Sequence, residues 1–455
     1  MQDYDVIVIG SGSGMLIVDE ALGQGLKVAL VDKGLLGGTC PNLGCIPSKM
    51  LIYPADRVVE IQEAAKLGIT AAVTDVDFAA IMKRMRKGVR AGQRHLRHAV
   101  TEMDNLDYYR GVGRFRGEYT LEVKGQLIRG ERIFIASGTR PFIPPIKGLA
   151  AAGYLTNETV LGLKELPESV IIIGGGYIGV EYGHFLAAMG TRVVIVEMAD
   201  RLVMAEEPEI AELLQKSLAR RMEIHTNTAA EEVTVRPDGI RLRVRDRRSG
   251  RGKNLKAQRI LAAVGRRPNS DLLDVAAGGI ATDKRGFVIV DEYLETNKKN
   301  IFAVGDANSQ QMFTHVANRE AALVVTNAFY GHKHKMDYHA IPHAVYSHPQ
   351  IAAVGLTEAQ AREHHDVAVT WGRYYDVAKG EAMLETEGFT KAIVDRGSGQ
   401  LLGFHIIGPY APLLIQEVVN AMTSGGGRDE INEGIHIHPA LSELIPVTLN
   451  GLEDA

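Results

Sequence analysis

The chain opens with a pattern that predicts a buried parallel strand followed by a helix. Tyr4–Ile9 is a short apolar run, and the glycine-rich turn Gly10–Gly14 separates it from a helical stretch that ends near Gly23. A second apolar run, Lys27–Val31, leads to the acidic residue Asp32. Short apolar runs that alternate with helices are typical of parallel strands covered on both faces. The first segment therefore predicts a β-α-β unit.

The same pattern returns at Val170, in the middle of the chain. An apolar strand runs into a second glycine-rich turn, a helical pattern follows, and the next strand ends at Glu197. A further strand and turn at Ile260–Pro268 closes this insert. A repeated order of strand, glycine turn and helix predicts two dinucleotide-binding folds in one chain.

The segments between and after these folds follow other patterns. Helices are predicted at Ser48–Leu67, bent near Pro54, and at Asp77–Met103, whose basic residues are expected to form a solvated face. Short alternating strands are predicted between Leu106 and Ile135. The region beyond about Met336 has four strand patterns and one helical pattern, at His343–Val354, Val367–Arg373, Phe389–Asp395, Leu401–Ile407 and about Pro412–Ser424.

Composition narrows the class of protein. The 455 residues carry a net charge of −4, which gives no electrostatic reason to expect a nucleic acid or an anionic membrane as partner. The first residues enter a strand pattern at once, without the segments of a signal peptide, and no apolar run is long enough to span a bilayer. We therefore expect a cytoplasmic protein with no membrane partner, and we assign no residue to a metal site.

The chain has only two cysteines, Cys40 and Cys45. On an unbroken helix their Cα atoms would be about 8–9 Å apart, beyond the limit of about 7 Å for a disulfide. Pro41 and Gly44 lie between them and can distort the backbone enough to close this gap. The residues around Pro47 look like the start of a helix, whose N-terminus would favour a Cys45 thiolate. Spacing alone leaves two buried structural thiols as an equal alternative.

The two glycine turns differ in completeness. The second turn satisfies the pattern G-x-G-x-x-G with Gly174, Gly176 and Gly179, and Glu197 follows about 20 residues later, where an acid can accept hydrogen bonds from a ribose. The first turn has Met15 where the third glycine is expected, so its helix and strand must pack closely by another means. A purely structural turn stays open as an alternative for the first pattern.

A histidine and a glutamate lie close together near the C-terminus. Pro439 is placed to be the first residue of a helix, so we expect His438 at the helix cap and Glu443 a turn and a half inside. A carboxylate beside an imidazole fixes its tautomer and raises its basicity, as general acid–base catalysis requires. Taken alone, the pair His436 and His438 would more often be a surface pair or a weak metal site than a catalytic group.

A resemblance that covers the whole chain adds to these observations. The string GGTCPNLGCIPSK at Gly37–Lys49 resembles the redox-active disulfide motif of the FAD-dependent pyridine nucleotide-disulfide oxidoreductases. The strings IASGTRP and LAAVGRRP look like the ATG-type turns of that family, NIFAVGDAN looks like its second FAD motif, and HPALSE looks like its catalytic histidine–glutamate dyad.

The resemblance implies the fold and the domain organisation. It implies an α/β protein with two Rossmann-like dinucleotide-binding domains, one for FAD and one for NAD, and a C-terminal α+β dimerisation domain. The implied segments are 1–145 for the first part of the FAD domain with the redox disulfide, 146–268 for the NAD(P) domain, 269–335 for the second part of the FAD domain and 336–455 for the dimerisation domain.

The resemblance also implies the cofactor contacts. Lys49 and Glu181 match a pair beside the flavin N5, Tyr177 matches a residue that covers the nicotinamide pocket, and Asp306 matches the contact to the ribitol chain. The residues expected to bind FAD or NAD are Gly10, Gly12, Gly14, Asp32, Lys33, Gly38, Thr39, Lys49, Ser137, Gly138, Gly174, Gly176, Tyr177, Ile178, Gly179, Glu181, Glu197, Gly265, Gly305, Asp306, Phe313, Thr314, His315 and Ala317.

Four residues carry the chemistry that the family resemblance implies. Cys45 is expected to face the flavin and to form a charge-transfer thiolate, while Cys40 exchanges with the substrate. His438, paired with Glu443, is expected to shuttle the proton that thiol–disulfide exchange requires. In the family this dyad serves the disulfide of the opposite subunit, which implies a homodimer with shared active sites.

The substrate is expected to be a small dithiol or disulfide, or a lipoyl-bearing protein. The string LLGFHIIGPYAPLLIQE and the acid Glu197 look most like dihydrolipoamide dehydrogenase, with NAD preferred because an acid repels the 2′-phosphate of NADP. The strings KMLIY, HVANREA and HPALSE look more like mycothione reductase, which stays an alternative. A flavoprotein that mainly docks a lipoyl-bearing partner in a multienzyme complex is a second alternative. Mercuric reductase is disfavoured because no cysteine follows Cys45.

Overall fold

The computed structural model describes Met1–Gly451, so the last four positions of the predicted dimerisation segment, 452–455, lie outside the described residues. The strands are β1 (Gln2–Ile9), β2 (Val28–Asp32), β3 (Leu106–Arg110), β4 (Gly113–Gly117), β5 (Thr120–Val123), β6 (Gln126–Ile135), β7 (Thr139–Pro141), β8 (Ser169–Ile173), β9 (Arg192–Val196), β10 (Glu223–His225), β11 (Thr228–Arg236), β12 (Gly239–Asp246), β13 (Gly252–Ala257), β14 (Arg259–Ala262), β15 (Arg266–Pro268), β16 (Ile301–Ala303), β17 (Pro342–Val345), β18 (Ile351–Gly355), β19 (Val367–Arg373), β20 (Phe389–Asp395) and β21 (Leu401–Ile407).

The α-helices are α1 (Gly14–Gly23), α2 (Thr39–Leu43), α3 (Cys45–Glu63), α4 (Phe78–Glu102), α5 (Leu149–Ala152), α6 (Tyr177–Ala188), α7 (Pro208–Leu218), α8 (Ser270–Leu273), α9 (Thr314–Tyr330), α10 (Glu358–Ala361), α11 (Ala378–Ala382), α12 (Ala411–Thr423), α13 (Arg428–Glu433) and α14 (Leu444–Asn450). Short 3-10 helices occur at Ala64–Leu67, Val160–Gly162, Val275–Gly278, Gly305–Ala307, Tyr374–Asp376 and Leu441–Glu443.

The chain divides into two compact units, each built from separate stretches of sequence. The first unit comprises Met1–Pro47, Lys83–Phe142 and Gly265–Asp337. The second comprises Ser48–Met82, Ile143–Val264 and the chain from Tyr338 onward. The four domain segments expected from the sequence do not coincide with these units, since 48–82 of the first segment belongs to the second unit, and they stay a prediction.

The first unit is built on a seven-stranded sheet with a parallel core. The strand order is β3-β2-β1-β6-β5-β4, and β16 also pairs with β6. Successive residues of β1 enter two different cores, with Ile7 and Ile9 on one face and Val6 and Val8 on the other. Because both faces of the sheet are covered, the carboxyl-terminal part of β1 (VIVI), the first four residues of β2 (VALV) and the end of β6 (IFI) are continuously apolar.

A two-stranded antiparallel ribbon also belongs to the first unit. In it β7 pairs with β15, so that Thr139 lies opposite Pro268 and Pro141 lies opposite Arg266. These two strands follow the two ATG-like turns, which are far apart in sequence. The ribbon therefore brings the ends of the two turns together.

The second unit contains three sheets. The parallel sheet has the order β10-β9-β8-β14, the three-stranded antiparallel sheet β11-β12-β13, and the five-stranded antiparallel sheet β17-β18-β21-β20-β19. Ile171 and Val194 of the parallel sheet share a core with Leu242 of the three-stranded sheet. The five-stranded sheet shares its core with the C-terminal helices, where Phe404 packs in one cluster with Leu444.

Most predicted elements lie within a few residues of the observed ones. The helix α3 contains Pro54 and continues as a 3-10 turn to Leu67. The helix α4 begins after Asp77, whose Oδ1 accepts a hydrogen bond of 2.8 Å from the N–H of Ala80, as expected of an N-cap. Within Met1–Gly451, no helix has both the length and the apolar character needed to cross a membrane.

Two local predictions were wrong. His343–Val354 is not one strand, because the chain turns back at 346–350 and β17 pairs antiparallel with β18; Pro349 in this turn has no N–H to contribute to a ladder. Pro439 does not begin a helix either. The first helical residue is Leu441, and the N-cap is Ala440. Glu443 Oε2 accepts the N–H of Ala440 at 2.9 Å, and this hydrogen bond fixes the N-cap at Ala440.

Candidate active site

The backbone is broken between the two cysteines. Cys40 lies in α2, which ends at Gly44, and α3 begins at Cys45. Gly44 has φ −133° and ψ −116°, far from helical values, so the two helical segments are not continuous. The distortion expected around Gly44 is therefore present. Cys45 is exposed and Cys40 is half-buried.

The Cys45 sulfur lies at the N-termini of two helices. Cys45 is the first residue of α3, and its Sγ is 3.6 Å from Oγ1 of Thr314, the first residue of α9. Helix N-termini carry partial positive charge and stabilise a thiolate. The hydrogen bond to Cys45, followed by burial, raises the pKa of Cys40. Cys40 therefore keeps its proton, while Cys45 has the surroundings that favour a thiolate.

The first glycine turn leaves open backbone at the start of α1. Gly10 has φ +107°, and a Cβ there would lie 2.2 Å from the carbonyl oxygen of Ala136, so only glycine fits. A Cβ at Gly12 would meet nothing closer than Gly38 Cα at 3.9 Å. Open backbone before a helix N-terminus fits the pyrophosphate of a dinucleotide.

Gly14 allows the close approach of helix to strand for which the motif uses a glycine at the position of Met15. A Cβ at Gly14 would lie 2.8 Å from Cγ1 of Val8, so α1 approaches β1 through this glycine. In the second turn the third glycine has that role, because a Cβ at Gly179 would lie 2.1 Å from the carbonyl oxygen of Gly174. The close contact between strand and helix is thus moved by one position in the first turn.

The second turn otherwise repeats the first. Gly174 has φ +110°, and a Cβ there would lie 2.3 Å from the carbonyl oxygen of Ala263. A Cβ at Gly176 would meet no atom within 4 Å. The same combination of one obligatory glycine and one open glycine before a helix therefore occurs twice, and it fits two dinucleotides.

The two acids hold their glycine turns in the same way. Asp32 Oδ2 accepts hydrogen bonds from the N–H of Ser11 at 2.7 Å and from its hydroxyl at 2.5 Å. Glu197 accepts from the N–H of Gly175 at 2.6 Å and from the N–H of Ala199 at 2.7 Å. These bonds orient each carboxylate. Asp32 Oδ2 has both of its acceptor sites occupied, and Oδ1 accepts the N–H of Gly34 at 2.7 Å, so Asp32 keeps one lone pair, on Oδ1, for a ribose hydroxyl. Glu197 keeps one lone pair on each oxygen. The serine was missed in the sequence, where it is only a variable position of the motif.

Asp306 lies beside the ribbon of β7 and β15. Thr139 Oγ1 donates to Asp306 Oδ2 at 2.6 Å and accepts from Arg266 Nε at 2.7 Å. A Cβ at Gly305 would lie 2.9 Å from Cβ of Ala317, so two of the residues expected to bind FAD or NAD lie next to each other. Thr139 and Arg266 were missed as site residues, although each follows directly after an ATG-like turn.

The predicted pair of Lys49 and Glu181 forms in the second unit. Lys49 Nζ lies 2.9 and 2.8 Å from the two carboxylate oxygens of Glu181, which is largely buried. Tyr346 holds this pair, because its N–H donates to Glu181 Oε1 at 3.1 Å and its ring lies 4.4 Å below Lys49 Nζ. Tyr346 was missed because nothing in its local sequence indicates the contact.

Tyr177 contacts the pair formed by Glu206 and His343. It is the first residue of α6, and its hydroxyl donates to Glu206 Oε1 at 2.8 Å. His343 Nε2 lies 2.8 Å from the same oxygen, and its ring stacks on that of Tyr177 with centroids 5.8 Å apart. Burial, and then the charge of Glu206, raises the pKa of Tyr177, so the phenol stays a hydrogen-bond donor.

The two residues of the expected C-terminal dyad are in hydrogen-bond contact. His438 Nδ1 lies 2.8 Å from Glu443 Oε1, and the histidine side chain is 71 % exposed. The N–H of Ala440, followed by the hydrogen bond to His438, lowers the pKa of Glu443, which therefore stays ionised beside the imidazole. His436 belongs to a different pair, with Nε2 2.8 Å from Glu417 Oε1.

The other predicted contacts lie at the expected elements. Thr39 begins α2 after Gly38, Ser137 and Gly138 form the turn between β6 and β7, Ile178 lies in the first turn of α6, Gly265 precedes β15, and Lys33 is exposed after β2. Phe313 precedes α9, and its ring stacks on that of His315 with centroids 5.4 Å apart.

One cluster of acids lies close enough to bind a metal, but a lysine already occupies it. Glu207, Glu209 and Glu358 have carboxylate oxygens within reach of one ion. Lys391 Nζ lies 2.6 Å from Glu207 Oε2 and 2.8 Å from Glu358 Oε2, and the lysine side chain is 1 % exposed. The ammonium group supplies the positive charge that these carboxylates need.

Two dinucleotide-binding folds and a pair of cysteines at a helix N-terminus define a flavoprotein disulfide oxidoreductase. Comparison with protein families agrees: residues 4–321 match the model described as pyridine nucleotide-disulphide oxidoreductase, and residues 341–448 match its dimerisation domain. The chain therefore belongs to the class I pyridine nucleotide-disulfide oxidoreductase family, whose members use FAD and a pyridine nucleotide. The family resemblance and the fold class predicted from the sequence are confirmed.

The relatives span nearly the whole chain. A mycothione reductase of Mycobacterium tuberculosis is 37 % identical over 469 residues, covering 99 % of this chain and 100 % of the relative. A mitochondrial dihydrolipoyl dehydrogenase of Dictyostelium discoideum is 34 % identical over 458 residues, covering 98 % of this chain and 93 % of the relative. Among solved structures, a Cu(II) complex of the HOCl-induced flavoprotein disulfide reductase RclA from Escherichia coli has a TM-score of 0.87 at 29 % identity and covers 99 % of both chains.

The two open glycines allow the two nucleotide sites to be tested separately. Gly12→Ala should abolish FAD retention, because the new methyl group occupies the space beside the helix N-terminus that a pyrophosphate needs. Gly176→Ala should retain FAD and raise KM for the nicotinamide nucleotide at least tenfold. Both variants should change the free energy of unfolding of the flavin-free protein by less than about 1 kcal/mol, because neither Cβ meets a close neighbour.

The measurements are flavin content after gel filtration, steady-state kinetics and denaturant unfolding. Gly10→Ala is the contrasting variant, since its Cβ would collide with Ala136 and should destabilise the flavin-free protein itself. Normal flavin content in Gly12→Ala would contradict the assignment of the first turn.

Proposed function

We propose that this protein transfers two electrons between NAD(H) and a dithiol/disulfide substrate through bound FAD and the Cys40–Cys45 pair. The observation that supports this proposal best is the break at Gly44: the Cys40 thiol has a hydrogen bond to Cys45, and Cys45 begins a helix with its Sγ 3.6 Å from Thr314 Oγ1. FAD, when bound, links the two-electron chemistry of the cysteines to hydride transfer with the nicotinamide.

The cysteines have different roles in the proposed reaction. With the pair oxidised, a substrate thiolate attacks the sulfur of Cys40, and Cys45 leaves as a thiolate. The second substrate thiol then attacks the substrate sulfur of the mixed disulfide, its proton passes to the Cys40 sulfur that is released, and the substrate disulfide leaves. His438 accepts the substrate proton, and the ionised Glu443 stabilises the imidazolium that results. The raised pKa of Cys40 supports its role as the protonated partner of the reduced pair.

Dihydrolipoamide is our proposed substrate, with NAD+ as the acceptor. The proposal is supported by the strings that resemble dihydrolipoamide dehydrogenase and by the 34 % identical relative of that name. Glu197 supports NAD, because an oriented carboxylate binds ribose hydroxyls and repels a 2′-phosphate. Arg201, four residues further on, is the residue that could offset this repulsion.

A mycothione-type disulfide is the second candidate substrate. It is favoured by the 37 % identity to a mycothione reductase over the full length of both chains. The reaction would then run toward reduction of the disulfide with the same groups. We propose a cytoplasmic homodimer in both cases, in which the dimerisation domain brings His438 of one chain to Cys40 of the other.

A panel of substrates assayed with both nicotinamides tests this assignment. We expect kcat/KM for dihydrolipoamide with NAD+ to exceed that for every other pair, including mycothione-type and glutathione disulfides with NADPH. Glu197→Ala should narrow the difference between NAD and NADP, and Arg201→Ala is the matched control that should leave or widen it. No turnover of any free dithiol or disulfide would favour the role of a docking component, whereas a higher kcat/KM for mycothione-type disulfide would replace dihydrolipoamide.

The assignment of the two sulfurs has a spectroscopic consequence. Partial reduction of the holoenzyme should produce long-wavelength charge-transfer absorption from the Cys45 thiolate. Cys45→Ser should abolish this absorption, and Cys40→Ser should make it permanent, because Cys45 then has no sulfur to pair with. Absorption titrations of both variants measure this, and the opposite pattern would reverse the two roles.

Sharing of the active site between subunits can be tested with mixed dimers. His438→Ala should lower the rate of the dithiol half-reaction by about 10²–10⁴, the usual contribution of a general acid–base group, while hydride transfer between nicotinamide and flavin stays nearly normal. Glu443→Gln should have a smaller effect of the same kind. Dimers of a Cys40→Ser chain with a His438→Ala chain contain one intact composite site and should recover substantial activity. If they are as inactive as either parent, the histidine serves its own subunit.

A further inference from the structure

The buried face of α4 contains one polar residue. The inward positions of α4 are spaced three and four residues apart, as expected of a helix that packs on a core. They are Met82, Met85, Val89, Gln93, Leu96 and Val100. Gln93 is 7 % exposed. Its Oε1 is buried and has no hydrogen-bond partner among the residues Met1–Gly451. Packing alone does not account for this residue, because an apolar side chain would avoid the cost of a buried, unpaired oxygen.

The amide nitrogen of Gln93 is bound to the loop that carries Cys40. Gln93 Nε2 donates to the carbonyl oxygen of Leu36 at 2.5 Å and to Asn42 Oδ1 at 2.6 Å. Asn42 Nδ2 in turn donates to the carbonyl oxygens of Leu36 at 2.9 Å and Gly38 at 2.7 Å. Both acceptors of Gln93 require a donor, so the orientation of its amide is determined by the contacts.

Asn42 lies between the two cysteines, in the short helix α2. Five residues are too few to form a stable helix alone, and the N-cap of α2, Gly38, has no side chain to cap it. Its position must therefore come from tertiary contacts. Gly37 adds one, because a Cβ there would lie 2.8 Å from Cδ1 of Leu96 on α4. The helix α4 thus holds both sides of the loop through Gln93 and Leu96.

We propose that Gln93 is a positioning residue for the redox pair: through Asn42 it fixes α2 and so sets the equilibrium between the Cys40–Cys45 dithiol and the disulfide. This inference rests on the proposed function, in which that pair cycles. Gln93 does not touch either sulfur in this role. It acts by restricting the movement of the segment that carries Cys40.

The expected direction follows from preorganisation. A disulfide forms more favourably when its two thiols are already held close together, because less conformational freedom is lost on bonding. Loss of the Gln93 hydrogen bonds should let α2 move relative to the start of α3. The disulfide should then be less stable relative to the dithiol, and the midpoint potential of the pair should become less negative.

The test compares Gln93→Leu and Gln93→Met with a control on the same face, Met85→Leu. Each holoenzyme is equilibrated without oxygen in buffers of oxidised and reduced dithiothreitol, quenched with acid, unfolded and alkylated, and the dithiol fraction is measured by mass spectrometry. Both Gln93 variants should shift the equilibrium about tenfold toward the dithiol, which corresponds to about 30 mV. The control, Met85→Leu, should have the same dithiol fraction as the wild type in every buffer.

A second measurement separates positioning from a general loss of stability. Thermal unfolding of the Gln93 variants should stay near that of the wild type. The substitutions remove the donor to Asn42 Oδ1, but they also remove the unpaired Gln93 Oε1, and leucine and methionine suit the apolar face of α4. Flavin reduction by the nicotinamide should also be unchanged, since neither substitution touches that half-reaction. If either Gln93→Leu or Gln93→Met does not fold, the other variant is used alone in the dithiothreitol titration.

The outcomes distinguish this inference from the proposed function. If the wild-type pair does not titrate between dithiol and disulfide in any buffer, the proposed function itself is wrong. If the wild type titrates but the two Gln93 variants coincide with Met85→Leu, Gln93 is a structural residue and only this inference is overturned. A shift toward the disulfide would likewise overturn it.

Discussion

The chemistry of this chain depends on one interruption of helical hydrogen bonding, at Gly44. In a continuous helix, Cys40 and Cys45 would be too far apart to bond, and Cys45 would lie mid-helix without the positive end of a dipole. The break ends α2 and begins α3 at Cys45. The break therefore leaves the Cys40 thiol within hydrogen-bond reach of Cys45 and makes Cys45 the first residue of a new helix.

A second constraint, the close approach of backbone to a dinucleotide, is met twice by the same means. Only glycine fits at Gly10 and at Gly174, because a Cβ there would lie 2.2 or 2.3 Å from a backbone carbonyl oxygen. Asp32 and Glu197 each accept a hydrogen bond from a backbone N–H of their turn. The two turns differ only where a helix packs on its strand, through Gly14 in the first. Both turns thus keep open backbone before the helix, while the glycine that lets the helix pack on the strand occupies different motif positions, Gly14 in the first turn and Gly179 in the second.

The motifs could be predicted because each is local. The cysteine string, the glycine turns and the His438–Glu443 pair place their residues within a few positions of one another. The structure has the cysteines and the glycine turns at the expected elements, whereas His438 lies before the helix start and not at its cap. Thr139, Arg266 and Tyr346 could not be predicted in this way, because each meets its partner only through pairing between distant segments. The wrong helix start at Pro439 has a similar cause, since the contact of Glu443 with Ala440 outweighed the general preference of proline.

By itself the sequence determined the strand and helix periods, the two nucleotide turns, the spacing of the cysteines and the family to which the chain belongs. Those features depend on side chains that are near one another along the chain, where geometry follows from residue type. Only the tertiary structure decided which sulfur lies at two helix N-termini, how the ribbon joins the two ATG-like turns, and that Gln93 reaches the redox loop from α4. These contacts join residues tens to hundreds of positions apart, and hydrogen-bond geometry across such distances is set by how the elements pack.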